Sequence, residues 1–100
     1  MEVKEISIPT AFQSDIEKAI RLLNEEGCSE IYLFGSLVTG DFRVKSDIDL
    51  GVKGCPAECF FQIFSKLNDF CEHRIDLVDF EAEEDFHNML EDIEEVIRIA

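Results

Sequence analysis

The sequence predicts a layered α/β fold, and three observations carry that prediction. Apolar residues recur at helical intervals in three stretches and form short alternating or continuous apolar runs in three others. Hydrophobic residues make up 46% of the chain, nine of the residues being Phe. That supplies a core for a chain of this size, which buries roughly two-thirds of its extended surface. No repeat, low-complexity tract or linker divides the 100 residues, so residues 1–100 read as one domain.

The first element is a helix over Ser14–Glu26. Ser14 and Glu17 have capping-box spacing, and Ile16, Ala19, Ile20 and Leu23 share a face. Thr10, after Pro9, offers a start one turn earlier. Gly27 supplies the stop. Glu30–Phe34 is a short apolar strand ending at Gly35, and residues 35–45 are polar and irregular, with one helical turn after Ser36. In Asp47–Val52, Ile48, Leu50 and Val52 alternate with Asp47, Asp49 and Gly51, the pattern of a half-buried strand. Pro56 suits the first position of a helix whose stripe is Phe60, Phe61, Phe64 and Leu67, ending near Asn68 or Asp69. His73–Asp79 is a third strand. Glu81–Ile99 reads as a final helix, with Phe86, Met89, Leu90, Ile93, Val96 and Ile97 on one face and an acidic, solvated opposite side.

Charge narrows the function classes. Twenty-three Asp and Glu stand against nine Lys and Arg, a net charge of −14. Such a surface repels nucleic-acid backbones and anionic membranes, so neither is expected as a direct partner. It suits a basic protein partner or a site that concentrates divalent cations. The four cysteines, Cys28, Cys55, Cys59 and Cys71, show no zinc-finger spacing, and no secretion signal or membrane-spanning run accompanies them. Reduced, packed cysteines in a cytoplasmic protein are therefore expected.

Chemistry concentrates between residues 35 and 76. Asp47 and Asp49 are two apart on a strand, so both carboxylates leave one sheet face with about 7 Å between their Cα atoms. Like charges so placed favour a cation between them, and oxygen-only ligands select a hard ion such as Mg²⁺. Gly35 and Ser36 follow directly on an apolar strand, where the chain turns. A glycine permits close backbone approach there, and the next N–H groups with the Ser36 hydroxyl can hold an anion. His73 and His87 lack a paired Asp or Cys at a telling interval and read as surface or helix-face residues. The Phe60, Phe61 and Phe64 cluster reads as core packing.

Gly35-Ser36, ten residues, then Asp47-Ile-Asp49 resembles the signature of the DNA polymerase β-like nucleotidyltransferases, and Ser46–Val52 is similar to its centre. Arg74–Asp79 resembles the strand carrying that family's third carboxylate, with Asp76 preferred over Asp79, which suits a cap for the last helix. The resemblance covers about residues 30–80. It implies a small mixed sheet packed with helices, as in the polymerase β palm, and places the chain with the minimal nucleotidyltransferases that pair with all-helical HEPN toxins. It further implies two Mg²⁺ ions (or Mn²⁺) on Asp47, Asp49 and Asp76, and ATP as donor, with Gly35 and Ser36 on its phosphates. AMP would pass to a tyrosine hydroxyl of a HEPN partner, making the chain an antitoxin. Many relatives carry Arg just after the Gly-Ser pair; here Leu37 and Thr39 stand there, leaving Arg43, Lys45 and Ser46 as further candidates for nucleotide contact. The alternatives are a non-catalytic module that masks a helical partner, and transfer to a small molecule. Homo-oligomerisation stays open.

Overall fold

Antiparallel pairing of β1 (Glu30–Phe34) with β2 (Ile48–Lys53) organises the protein, a computed structural model that describes residues 8–100. β3 (Ile75–Asp79) runs parallel to β2, and a short β4 (Val96–Arg98) runs antiparallel to β1. The order β3-β2-β1-β4 makes a mixed four-stranded sheet. The helices are α1 (Thr10–Glu25), α2 (Ser36–Thr39), α3 (Phe60–Phe70) and α4 (Glu84–Asp92).

Strand alternation sorts the core into two layers. Ile31, Leu33, Ile48, Leu50, Val52 and Ile75 point from one face into α1 and α3, meeting Phe12, Ile16, Leu23, Ile63 and Leu67. Burying each such side chain stabilises the fold by roughly 1.5–3 kcal/mol. On the opposite face Tyr32 and Phe34 join Phe80 and Leu90, with Val78, Phe86 and Val96 packed around them. Gly51 lies under the Phe80 ring, where a Cβ would come within 2.1 Å of it. No described helix is long and apolar enough to cross a membrane.

Several sequence expectations need correction. The first helix starts at Thr10, so Ser14 sits exposed inside it and no capping box forms. Pro56 precedes a short 3₁₀ turn, Ala57–Cys59, and α3 follows from Phe60. Ile63, not Phe61, supplies its buried stripe, and Phe61 is 81% exposed. The final helix stops at Asp92. Glu94 adopts φ +58, its N–H bonds Glu91, and the Glu95 N–H reaches back to Leu90, which closes a Schellman cap. Gly27 closes α1 in the same way: its N–H bonds Asn24, and the Cys28 N–H reaches back to Leu23. The first stop was visible because glycine marks it; the second falls on glutamate, so the β-branched run after it passed for helix.

The cysteines differ as well. Extending the β1–β2 register past Glu30 and Lys53 sets Cys28 opposite Cys55, and these two form a disulfide. This overturns the expectation of reduced cysteines, which rested on the lack of a secretion signal; the partners are 27 residues apart and meet only through the strand register. Cys59 and Cys71 are free, and burial together with the Asp15 charge pushes the Cys71 thiol up to about 11.

Candidate active site

Strand register assembles the site. Asp49 pairs with Asp76 on parallel β3 and with Phe34 on β1. Laterally paired residues share a face, so Asp76 stands beside Asp49, and Asp47, just ahead of β2, continues the row. This is the face that α4 covers farther along, where Val78 and Phe86 lie. The three predicted acids are thus brought together on one side of the sheet.

The bend after β1 closes over this row. Gly35 has φ +78, and a Cβ there would lie 2.1 Å from Asp49 Oδ2. Only glycine therefore lets the chain turn across the carboxylate at this point. The carbonyl of Gly35 accepts from the Val38 and Thr39 N–H groups as α2 starts, and Gly40, at φ +88, ends that single turn. Among the described residues the Ser36 hydroxyl and the N–H groups of Ser36 and Leu37 have no internal partner, as befits the first turn of a helix. These donors lie next to the acids, where an anion bridged by a cation would sit.

Electrostatics follow from the crowding. Burial pushes the Asp49 carboxyl up to about 6, helped by the charges of Asp76 and Asp47 and by a hydrogen bond with the Asp76 side chain. Arg74, two residues before Asp76 on the same side of the strand, offsets part of this repulsion. Its Nε lies 3.4 Å from Asp76 Oδ1 and 3.9 Å from Asp47 Oδ2. Sequence reasoning passed over Arg74, although its two-residue spacing from Asp76 was a usable signal.

Among the described residues no group of three or more His, Cys, Asp or Glu stands arranged to hold a metal ion by itself. Mg²⁺ uses one or two protein carboxylates and takes its other oxygens from water and phosphate. Asp47 and Asp76 have half-exposed carboxylates that a hydrated ion can reach. The donor set fits such an ion.

The remaining candidates lie on the loop before β2 and at the end of β3. Ser46 Oγ accepts from the Arg43 N–H at 2.7 Å, tying the loop that leads into Asp47. Arg43 and Lys45 are exposed on that loop, and Lys45 and Asp47 border an open cleft with His73 and Arg74. Asp79 Oδ1 accepts from the N–H groups of Glu81 and Ala82, so it caps the turn before α4 and not the site.

His73 is no surface residue. Its Nδ1 lies 2.8 Å from Asp15 Oδ2 and its Nε2 2.7 Å from the Val44 carbonyl. Two acceptors on one ring call for both ring N–H groups, the imidazolium form. Burial opposes that charge, but the Asp15 and Val44 hydrogen bonds and the charges of Asp15 and Glu72 outweigh it, and the pKa of His73 is raised. Asp15 is also desolvated, yet donors from the His73 and Glu72 backbone and the His73 ring hold its carboxyl below the ordinary value. The pair clamps the loop before Asp47 to α1. An Asp between Phe12, Ile16 and Ala19 on a buried helix face was its sequence signal. His87 is buried too, stacked on Phe80 with its Nε2 3.1 Å from Glu91.

With the geometry in place, known proteins can be compared. Residues 17–98 match the nucleotidyltransferase domain of polymerase β. No protein of curated function shows a significant sequence match. Among solved structures, a toxin–antitoxin with AMP-PNP is similar at 31% identity and TM-score 0.56, over 65% of this chain and 56% of that one. The MntA–HepT toxin–antitoxin is similar at 28% identity and TM-score 0.52, over 69% and 56%. The same figures hold for the tri-AMPylated Shewanella oneidensis HEPN toxin in complex with MNT antitoxin. The similarity thus spans little more than half of each of those chains.

Proposed function

This chain belongs to the polymerase β nucleotidyltransferase family, and from that premise we propose that it transfers AMP from ATP to a hydroxyl of a helical HEPN-type partner, acting as an antitoxin. The observation that carries the reading is the register that sets Asp49 beside Asp76 under the Gly35 bend. The toxin–antitoxin structures, one with AMP-PNP and one with an AMPylated HEPN toxin, support the donor and the class of acceptor. The family match over residues 17–98 supports reading these residues as one nucleotidyltransferase domain.

Each residue has a role in this proposal. Asp47, Asp49 and Asp76 would hold divalent cations, Mg²⁺ by the hardness of their oxygens. Such ions, when bound, neutralise the triphosphate and stabilise charge on the attacking and leaving oxygens. Gly35 leaves room for the phosphates, and the Ser36 hydroxyl and the first N–H groups of α2 donate to them. Arg43 and Lys45 add positive charge at the rim. The acceptor oxygen attacks the α-phosphorus, the bond to the bridging oxygen breaks, pyrophosphate leaves, and the hydroxyl proton passes to Asp76. Asp15 and His73 keep the loop before Asp47 in place.

The test is incubation with ATP labelled at the α-phosphate, Mg²⁺ and a purified HEPN-type partner. Label should appear on the partner and vanish with Asp47→Asn or Asp76→Asn. A stable complex that never takes label would contradict the proposal and favour the masking alternative.

A further inference from the structure

The outer edge of β3 is open. In the parallel ladder Ile48 donates to the Arg74 carbonyl and Phe80 donates to the Val52 carbonyl. Residues 74, 76, 78 and 80 therefore bond inward to β2, while 75, 77 and 79 turn their backbone groups outward. At Ile75 the side chain of Asn68 satisfies that edge, accepting from the N–H at 2.9 Å and donating to the carbonyl at 3.0 Å. The Asn68 amide stands in for a neighbouring strand. Asp79 returns its carbonyl to the Glu83 N–H. Between them, the N–H and C=O of Leu77 are paired with nothing among the described residues.

A cleft of about 440 Å³ runs along this edge, with Phe60 of α3 on one side of the sheet and Ala82, Glu83 and Phe86 on the other. Its floor is apolar, from Leu77, Val78 and the two Phe rings, and Asp79 and Glu83 line its border. Asp76 lies one residue before Leu77 and shares a sheet face with Val78. A strand added here would run about 4.8 Å from β3. Its residue opposite Leu77 would complete two hydrogen bonds, and the adjacent residue, opposite Asp76, would point to the carboxylate face.

We infer that the β3 edge is the acceptor's docking site: an extended, basic and apolar segment of the partner protein adds as a strand at Leu77 and presents its hydroxyl side chain to Asp76. The register is set by Asn68, which blocks pairing one step earlier. Acidic borders select a basic segment, and the flanking Phe rings select apolar side chains at alternate positions. The inference rests on the nucleotidyl-transfer reading for the role of the hydroxyl, not for the docking itself.

The test uses the full chain, without ATP or metal, and a nine-residue peptide of alternating valine and lysine with a central tyrosine. Titration followed by amide NMR should shift the Leu77, Val78 and Asp79 signals. N-methylation of the peptide residue that pairs with Leu77 should weaken binding about tenfold, as loss of its hydrogen bonding implies. Ala82→Arg, an exposed position that narrows the cleft and opposes a basic ligand, should weaken it at least as much. No binding, or binding indifferent to both changes, overturns the inference. So does movement of these signals with protein concentration alone, which would make a second copy the occupant. Peptide docking at Leu77 with no transfer to any hydroxyl would sink the transfer reading alone. Transfer to a protein that Ala82→Arg leaves intact would sink the docking alone.

Discussion

Asp49→Asn removes a charge that the folded chain holds at a cost. The Asp49 carboxyl moves from 3.8 to about 6 on folding, through burial first and then the charges of Asp76 and Asp47. At 1.36 kcal/mol per unit that corresponds to about 3 kcal/mol, and solvent screening at a partly exposed group reduces it to roughly 1.5. The folded state binds the proton more tightly than the unfolded state, so this destabilisation is complete above pH 6 and vanishes below about pH 4. Without metal, at pH 7.5, the Asn variant should therefore melt about 5–10 °C above the parent. By pH 5 the gap should fall by about half. With Mg²⁺ and ATP the order reverses, because the parent gains stability by binding and the variant does not. Thermal melts in EDTA and in Mg²⁺–ATP at both pH values check this. A variant that melts below the parent in EDTA, or a gap unchanged between pH 7.5 and 5, would refute the view that burial and the neighbouring acids hold the Asp49 charge at a cost.

Other perturbations probe the supports. Gly35→Ala sets a methyl against Asp49 Oδ2 at positive φ, and should cost at least about 2 kcal/mol in denaturant unfolding and abolish label transfer. Asp15→Ala strands the His73 imidazolium and should cost about 3 kcal/mol at pH 7. The raised His73 pKa makes the clamp fully effective below pH 6.5 and weaker as pH rises through the folded value, while the lowered Asp15 pKa keeps it until strong acid. In urea unfolding the gap between parent and variant should hence narrow at alkaline pH without closing, because Asp15 still accepts from the Glu72 and His73 N–H groups. Replacing Cys28 and Cys55 by Ser should cost about 3 kcal/mol, the same loss that a reductant causes in the parent, and thiol titration should find two free thiols before reduction.

Much of the site was legible because its signals are local. Asp47 and Asp49 break a strand's apolar alternation at a two-residue step, and glycine marks both the bend at 35 and the stop at 27. Residues whose role depends on a distant partner were not legible. Asp15, on a buried helix face, gains its role only when the fold brings His73 against it, 58 residues away. Cys28 and Cys55 meet only through the β1–β2 register. The last strand was hidden by the glutamate at the end of α4, since Val96 and Ile97 satisfy a helical period and a strand's preference equally well. Arg74 stood in plain view, but a lone cation on an acidic strand gains meaning only when Asp47 arrives from the neighbouring one.

The most direct measurement is anomalous diffraction from crystals grown with Mn²⁺ and a non-hydrolysable ATP analogue. Manganese is expected among Asp47, Asp49 and Asp76, as ions ~3.5–4 Å apart, with the β- and γ-phosphates against the Gly35–Ser36 bend. Manganese bound away from these three carboxylates, or a triphosphate that leaves the bend empty, would contradict the assignment.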